Sequence, residues 1–255
     1  MLTLRFHRPE GRNAWSHDME AEYFAALAAA ADDPAVRVVV ITGAGGTFCP
    51  GADIVKLIAA AEGNPSPHDP PRPPYPQVVF PKPLIAAIAG QCAGGGLVQA
   101  LFCDVRFAAH DAVISTAWAR RGLAAEYGMS WLLPRIVGFS NALDLLLTAR
   151  KITGDEAHRL GLANFVSDTD QVLADAQAYA RQMAEYCSPA SMATIRFQVW
   201  ADASRNFAES WAEFQTAGPR LLWMPDAREG AVSFRERRAP RFDPLTPGFR
   251  PDIRR

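Results

Sequence analysis

Two glycine-rich segments, residues 48–54 and 90–96, are the parts of the sequence best suited to carry chemistry. Each stands between an apolar run typical of a buried strand and a segment that can begin a helix. Glycines let backbone N–H groups approach a ligand closely, and a helix start adds unpaired donors and the positive end of its dipole. If both segments face one cleft, two N–H groups can point at a single oxygen, as in an oxyanion hole.

The glycines have a simpler explanation as well, since they could serve only to allow tight turns. Neither segment has the GxGxxG or the P-loop pattern, so the sequence supports neither dinucleotide nor ATP binding. The four cysteines are widely spaced without a CxxC pair, and the five histidines show no ligand spacing. We therefore predict neither a disulfide framework nor a metal site.

The composition limits the class of protein. The chain has 255 residues, 49% of them hydrophobic and 21% charged, with a formal net charge of −1. This suits one soluble domain and argues against general binding of nucleic acid, which needs an excess of positive charge. The basic N-terminus does not predict a signal peptide, and a glycine triplet interrupts the charge-free stretch 84–103. We expect a cytoplasmic protein without a nucleic-acid or membrane partner.

The elements that must position the two segments alternate between strand and helix in the first half of the chain. Strands are predicted at 2–7, 36–42, 84–89, 105–109 and 113–116, and helices at 17–30, 53–61 and 95–102. Later helices are predicted at 140–149, 154–160, 171–186, 189–203, 206–222 and 226–236. The pattern indicates a parallel-sheet α/β core with a helical appendage that begins near residue 190. Residues 64–76 contain seven prolines, which predicts an extended loop or lid.

Several ordered motifs resemble the crotonase (enoyl-CoA hydratase/isomerase) superfamily. They are FCPGADI at 48–54, KPLIAAIAG at 82–90, AGGG at 93–96 and CDVRFAA at 103–109. RPEGRNA at 8–14, LLPRIVG at 132–138 and FRERRAPRF at 234–242 extend the resemblance to nearly the whole chain.

The resemblance implies an α/β fold, a spiral of ββα repeats with C-terminal helices that trimerise. We expect residues 1–189 to form the crotonase-like core. Residues 190–255 would form the helical trimerisation region and arm of a homotrimer or a dimer of trimers. Met1 falls where the family is already in its second strand, so we expect either that an upstream strand is missing or that the start is misassigned.

The resemblance also implies an acyl-CoA thioester as substrate, with coenzyme A as part of that substrate and no separate cofactor or metal. The N–H groups of Ala52 and Gly95 would hold the thioester oxygen. The further positions that it assigns to substrate or coenzyme A are Arg12, Ala14, Pro50, Asp53, Ile54, Lys56, Gly94, Val98, Trp118, Phe234 and Arg237. Arg12 and Lys56 would meet the phosphates, and Phe234 and Arg237 would lie near the adenine.

The hydratases of this family are understood to use two glutamates as an acid/base pair. The matching positions here are Val98 and the pair Ala117–Trp118, so both carboxylates are absent. Glu126 stands four residues after Gly122, where the family's 3,2-enoyl-CoA isomerases have their catalytic glutamate. A chlorobenzoyl-CoA dehalogenase of the family has a nucleophilic aspartate at this same position, with a tryptophan that matches Trp118.

Four hypotheses therefore remain open on the sequence. The first is a 3,2-enoyl-CoA isomerase in which Glu126 moves the proton, and the second is a hydratase that activates water with Glu126 alone. The third is nucleophilic chemistry at Glu126, and the fourth is a scaffold that binds coenzyme A without turnover. Without the resemblance, Glu126 would be interpreted as an ordinary solvated loop residue.

Overall fold

A computed structural model describes residues 1–63 and 76–251 of the chain. Its strands are β1 (Leu2–Phe6), β2 (Val39–Gly43), β3 (Leu84–Ile88), β4 (Gln91–Ala93), β5 (Val105–Ala109), β6 (Val113–Ser115) and β7 (Phe165–Ser167). Five of them form a parallel sheet in the order β1-β2-β3-β5-β7, and β4 and β6 form a second, smaller parallel sheet.

The main sheet is covered on both faces, as its nearly continuous apolar strands predict. Val39 and Ile41 of β2 face the larger core cluster, whereas Val40 between them faces a second cluster on the other side. This follows from the two-residue period of a strand, which sends successive side chains to opposite faces. The predicted strand 36–42 begins later, at Val39, because a turn closed by the Val36 N–H and the Asp33 carbonyl precedes it.

The chain follows the predicted spiral of ββα repeats. β3 in the main sheet is followed directly by β4 in the small sheet, and β5 is followed in the same way by β6. After β2, the chain reaches the small sheet at Cys49, which forms an isolated parallel bridge with Cys92 of β4. The segment 90–94 is therefore partly strand, where the sequence predicts only a turn, because its backbone pairs with β6.

The helices of the described residues lie around these sheets. They are α1 (His17–Asp32), α2 (Ile54–Ala61), α3 (Pro76–Val79), α4 (Gly95–Leu101), α5 (Met129–Val137), α6 (Phe139–Thr148), α7 (Gly154–Arg159), α8 (Val172–Tyr186), α9 (Pro189–Asp202), α10 (Phe207–Leu222) and α11 (Pro225–Glu236). The predicted proline-rich loop or lid lies outside the described residues, except for Pro76 at the start of α3. No helix in 1–63 or 76–251 is both long and apolar enough to cross a membrane.

The C-terminal helices are attached to the core by a buried arginine. Arg196 of α9 donates from Nε to both carboxylate oxygens of Asp104 at 2.9 Å, and from Nη1 to the carbonyl of Phe80 at 2.6 Å. Beyond α11 the chain runs back along the body, where Leu245 is buried against the first turns of α9. The Phe242 carbonyl accepts a 2.6 Å hydrogen bond from Arg37. The predicted arm is thus held against the rest of its own chain.

Candidate active site

The two glycine-rich segments lie side by side. The Cys49 N–H donates to the Gln91 carbonyl at 3.0 Å, and the Cys49 carbonyl accepts from the Ala93 N–H at 3.0 Å. These two bonds form one parallel bridge between the segments. The two segments can face a common site only if they lie close together, and this bridge holds them close together.

Glycine is required here for close approach as well as for turning. A Cβ atom on Gly96 would lie 2.6 Å from the Cβ of Cys49 and nearer still to the Cys49 carbonyl oxygen. Gly51 has a φ of +106°, and a Cβ there would lie 3.1 Å from the Ala93 carbonyl oxygen. The explanation by tight turns alone is therefore incomplete, because side chains at these positions would separate the two segments.

The first predicted donor, the Ala52 N–H, is exposed and directed by its neighbours. Ala52 forms an isolated parallel bridge with Trp15, in which Gly51 accepts from the Trp15 N–H at 2.7 Å and the Asp53 N–H donates to the Trp15 carbonyl at 3.2 Å. In a parallel pair, the residue between two such bonds has its own N–H on the opposite side. Within the described residues, no group accepts a hydrogen bond from the Ala52 N–H.

The second predicted donor, the Gly95 N–H, belongs to the first residue of α4. Gly94 before it has a φ of +46° and donates its own N–H to the Ser115 carbonyl at 3.2 Å, and the Gly94 carbonyl accepts from the Val98 N–H at 3.0 Å. N–H groups in the first turn of a helix have no acceptor within that helix, and they carry the positive end of its dipole. No group in the described parts of the chain accepts from the Gly95 N–H.

The positions of the two hydratase glutamates are apolar and buried. Val98 is 2% exposed and Trp118 is 4% exposed, and both belong to the larger core cluster. Ala117 has a φ of +65°, and its Cβ would lie 3.9 Å from a Cβ on Gly94. The loop after β6 therefore presents a methyl group beside the second glycine segment, and no carboxylate stands at either position.

Glu126 lies in the loop between β6 and α5, and its side chain is exposed. Its carbonyl accepts from the Met129 N–H at 3.0 Å, which closes the turn that leads into α5. Ala125 and Tyr127 on either side pack against the larger core cluster. No described residue hydrogen-bonds to or forms an ion pair with its carboxylate.

The other predicted substrate residues near the first glycine segment occupy varied surroundings. Arg12 is exposed, with a φ of +48°, and Ala14 and Pro50 are half-buried. Ile54 is exposed at the start of α2. Lys56 is in the same helix, but its side chain lies outside the described part of the structure.

Asp53 is held by an arginine of the same chain. Its carboxylate accepts a 2.8 Å hydrogen bond from Nη2 of Arg8 and a 3.1 Å hydrogen bond from the Val55 N–H. The contact with Asp53 is the first cause of a raised pKa at Arg8. The structure thus gives Asp53 a partner within the chain, whereas the sequence resemblance assigns it to the substrate.

Phe234 and Arg237 lie at the end of α11, and both are exposed. The Phe234 side chain is 86% exposed. Within the described residues, no hydrogen bond or ion pair joins Arg237 to the glycine segments. Their predicted place near the adenine stays a prediction.

Sequence reasoning missed three residues that organise the site: Arg8, Asn13 and Trp15. Asn13 is buried, and its Nδ2 donates to the carbonyls of Ala44 at 2.9 Å and Thr47 at 2.7 Å. The same side chain accepts from the Arg8 N–H at 3.0 Å. Both Arg8 and Asn13 belong to the RPEGRNA motif at 8–14, in which the sequence resemblance assigns only Arg12 and Ala14 to the site.

The cysteines near the site are not nucleophiles. Burial raises the pKa of Cys49 to about 11 and that of Cys103 to about 12, and it also raises the pKa of Cys92. Thiols with such pKa values stay protonated at neutral pH, and the thiolate is the reactive form. No cluster of three or more His, Cys, Asp or Glu side chains in residues 1–63 and 76–251 is arranged to hold a metal ion.

Comparison with known proteins places this geometry in a family. A family model described as enoyl-CoA hydratase/isomerase matches residues 1–244. The probable enoyl-CoA hydratase EchA12 of Mycobacterium tuberculosis is 34% identical, with 94% of this chain and 88% of that protein covered. The 1,2-epoxyphenylacetyl-CoA isomerase of Escherichia coli is 31% identical, with 95% and 94% covered.

A solved structure shares the fold over almost its full length. The crystal structure of a probable enoyl-CoA hydratase/isomerase from Mycobacterium abscessus matches with a TM-score of 0.88 at 33% identity, and 96% of each chain is covered. The predicted crotonase-like α/β fold is thereby confirmed. Since the family model spans nearly the whole sequence and the fold agrees, the chain belongs to the enoyl-CoA hydratase/isomerase family of acyl-CoA enzymes.

Proposed function

We propose that this protein is an isomerase of the 3,2-enoyl-CoA type, in which Glu126 moves one proton and two backbone N–H groups hold the thioester oxygen. The observation that carries the proposal is the combination of an exposed Glu126 carboxylate, to which no described residue bonds, with apolar residues at both hydratase glutamate positions. A single carboxylate suffices for a proton shift within one substrate. Coenzyme A enters as part of that substrate.

The proposed reaction begins with removal of a proton from C2 of a 3-enoyl thioester by Glu126. The electrons move into the thioester carbonyl and form a dienolate, whose oxygen accepts from the Ala52 and Gly95 N–H groups. Glu126 then returns its proton to C4, and the double bond moves between C2 and C3. Removing one oxyanion donor typically costs about 2.7–4 kcal/mol in the transition state, so two donors supply a large part of the barrier reduction.

Hydration at C3 is the second candidate, because a 34% identical relative is named a probable enoyl-CoA hydratase. It would need Glu126 alone to activate water, since Val98 and Trp118 offer no carboxylate. The 1,2-epoxyphenylacetyl-CoA isomerase among the relatives supports the first candidate, because its name shows that the family's fold serves isomerases as well.

The assembly that we propose is a homotrimer or a dimer of trimers. Large apolar side chains are exposed on α9 and α10, among them Ile195, Val199, Phe207 and Trp211. An exposed apolar patch of this kind is typical of a protein interface. A cytoplasmic location stays a prediction.

The test is incubation of the purified protein with a 3-enoyl-CoA and, separately, with a 2-enoyl-CoA in deuterated water, followed by mass spectrometry. We expect a conjugated product from the 3-enoyl-CoA, and this product gains deuterium at C4 whenever the exposed Glu126 carboxyl group exchanges its proton with solvent before delivering it. Glu126→Gln should lower the rate of product formation by roughly 100-fold to 10,000-fold, the usual contribution of a positioned acid/base. Glu22→Gln is the matched control, because Glu22 is an exposed glutamate on α1 outside the site.

Each other outcome selects a different function. A 3-hydroxyacyl product from the 2-enoyl-CoA would establish hydration. Full turnover by Glu126→Gln would remove Glu126 from the mechanism, and an acyl ester trapped on Glu126 would show nucleophilic chemistry. Tight binding of acyl-CoA without any product would indicate a scaffold.

A further inference from the structure

Trp15 bonds to one of the segments that carry the proposed oxyanion donors and stands beside the other. Its main chain is bonded on either side of Ala52, to the Gly51 carbonyl at 2.7 Å and to the Asp53 N–H at 3.2 Å. The two bonds fix the plane of the backbone at Ala52 and leave the Ala52 N–H on the free side. The direction of the first donor is therefore set by Trp15.

The side chain of Trp15 stands beside the residue of the second donor. A Cβ added to Gly95 would lie 3.7 Å from the Cβ, Cγ and Cδ1 atoms of Trp15, so the space between Gly95 and this side chain holds one methyl group and little more. Trp15 is 8% exposed, so water has little access to this side chain. One residue thus holds the first segment with its main chain and borders the second with its side chain.

The indole ring is itself fixed by groups on rigid elements. Its Nε1–H donates to Oε2 of Glu20 in α1 at 2.8 Å. The ring also makes edge-to-face contacts with Phe6 of β1 at 5.5 Å and with Tyr23 of α1 at 5.8 Å between ring centroids. Edge-to-face pairs and a buried indole hydrogen bond both favour one ring orientation.

We propose that Trp15 is a positioning residue that sets both oxyanion donors relative to one another; this rests on the oxyanion hole proposed above. Trp15 does not bond to the substrate oxygen. Its ring limits how closely the start of α4 can approach the bridge that its main chain makes with the first segment. Donors in an oxyanion hole are effective only when they are preorganised, and a displacement of about 1 Å can cost roughly 100-fold in rate.

Two substitutions separate the parts of this role. Trp15→Leu removes both the ring beside Gly95 and the bond to Glu20, but it leaves the main-chain bonds of residue 15 available. We expect kcat for the 3-enoyl-CoA to fall roughly 30-fold to 100-fold and KM to change less than about threefold, since the loss falls on the transition state. Trp15→Phe keeps an aromatic ring and loses the indole N–H, so its kcat should be intermediate.

Trp131→Leu is the control for loss of an indole ring elsewhere. Trp131 is 37% exposed, and its ring stacks on Trp200 at 6.4 Å between centroids, with Arg135 on its face. Trp131 lies in α5, and none of these contacts involves the glycine segments. Its kcat should equal that of the wild type.

A spectroscopic measurement tests the positioning without any turnover. A saturated acyl-CoA labelled with ¹³C at the thioester carbonyl is bound to each protein, and the carbonyl stretch is recorded by infrared difference spectroscopy. Hydrogen bonds from both donors polarise the carbonyl and lower its frequency. We expect the full downshift in the wild type and Trp131→Leu, a reduced one in Trp15→Phe, and the smallest in Trp15→Leu.

The outcomes distinguish this inference from the function on which it rests. No downshift in the wild type would show that the oxyanion hole itself is wrong. A wild-type downshift that Trp15→Leu and Trp15→Phe retain in full would overturn the role of Trp15 and leave the hole intact. Circular dichroism checks that each variant is folded; if Trp15→Leu is not, the downshift of Trp15→Phe decides, and an unchanged value contradicts the proposal.

Discussion

Arg8 and Asp53, which stand 45 residues apart in the sequence, form an ion pair with an N···O distance of 2.8 Å. Arg8 also donates to the Ala14 carbonyl at 3.3 Å, so its guanidinium joins the N-terminal loop to the segment that carries Ala52. Asp53 is the residue directly after Ala52. The pair therefore restrains one end of the first proposed oxyanion segment.

Breaking this pair should destabilise the protein from either side, and somewhat more from the Arg8 side, because Arg8→Ala also loses the hydrogen bond to the Ala14 carbonyl. We expect Arg8→Ala and Asp53→Asn each to lower the free energy of unfolding by about 1 kcal/mol, as for a partly exposed ion pair. The double variant should lose only slightly more free energy of unfolding than either single variant, because both substitutions remove the same interaction. Urea unfolding measures the coupling. Acyl-CoA affinity, measured by titration calorimetry, should fall equally in both single variants; a larger loss in Asp53→Asn would mean that Asp53 also binds the substrate directly.

Gly96→Ala should be strongly destabilising, because the added methyl group would collide with the carbonyl oxygen and Cβ of Cys49. Relieving the collision requires the two glycine segments to separate, and overpacking of this kind costs about 1–3 kcal/mol. Gly230→Ala is the control, since a Cβ there meets only Phe242 at 3.9 Å inside helix α11. That change should be neutral or stabilise by up to about 1 kcal/mol. Thermal unfolding of both variants measures the two changes in stability.

The sequence predicts the elements around the site well where hydrophobic pattern and turn residues agree. Helix 95–102 after the glycine triplet corresponds to α4 at Gly95–Leu101, and strand 84–89 corresponds to β3 at Leu84–Ile88. Strand β4 was not predicted, because three residues around Cys92 have no period of their own. They become a strand only through pairing with β6, which a tertiary contact provides.

The long-range contacts at the site lie beyond what local pattern can predict. The sequence resemblance assigns Asp53 to the substrate, but nothing in the spacing of Arg8 and Asp53 shows that they meet. Trp15 has no motif of its own, and its two roles arise from a backbone bridge to Ala52 and from the position of its side chain beside Gly95. Such contacts depend on how the spiral stacks its turns, which a single sequence does not encode in any local period.

Glu229 gives the protein an acid-sensitive contact at the start of its C-terminal arm. Its carboxylate accepts from Nη1 and Nη2 of Arg238 at 2.6 and 3.0 Å and from the Arg241 N–H at 2.7 Å. The hydrogen bonds from Arg238, and then that from Arg241, lower the pKa of Glu229 from its usual value of 4.5 to about 2.

A group whose pKa is lowered by folding stabilises the folded state above its unfolded pKa, and this contribution is lost as the pH falls through the folded pKa. The contact should therefore be fully present above pH 4.5 and lost toward pH 2. We expect Glu229→Gln to be less stable than the wild type at pH 7. The difference in stability should vanish as the pH approaches 2. Thermal unfolding at a series of pH values measures it; a difference that is constant over this range would contradict the assignment.

The thiols should differ sharply in reactivity. Cys49, Cys92 and Cys103 are buried, and burial raises the pKa of each, whereas Cys187 at the end of α8 is exposed. We expect Ellman's reagent to modify Cys187 alone in the native protein, because the thiolate is the reactive form and the reagent must reach it. Cys187→Ser should abolish the rapid reaction. If Ellman's reagent still reacted rapidly with folded Cys187→Ser, the buried thiols would have to be reachable, which would show that the segments joined at Cys49 and Cys92 open in solution.

The exposed apolar surface of α10 should be covered by another copy of the chain. Trp211 is 54% exposed and stacks on Phe207 at 6.1 Å between ring centroids, while Phe214 one turn later is also exposed. Leaving these rings in water costs roughly 1.5–3 kcal/mol each relative to burial, which an interface between protomers recovers. We expect Trp211→Asp to shift the mass measured by sedimentation from trimer or hexamer to monomer. Phe139→Asp, an equally drastic change at an exposed position on α6, shows whether any added charge has this effect. A wild-type protein that sediments as a monomer at micromolar concentration would refute the assembly, and equal dissociation by both variants would remove its assignment to α10.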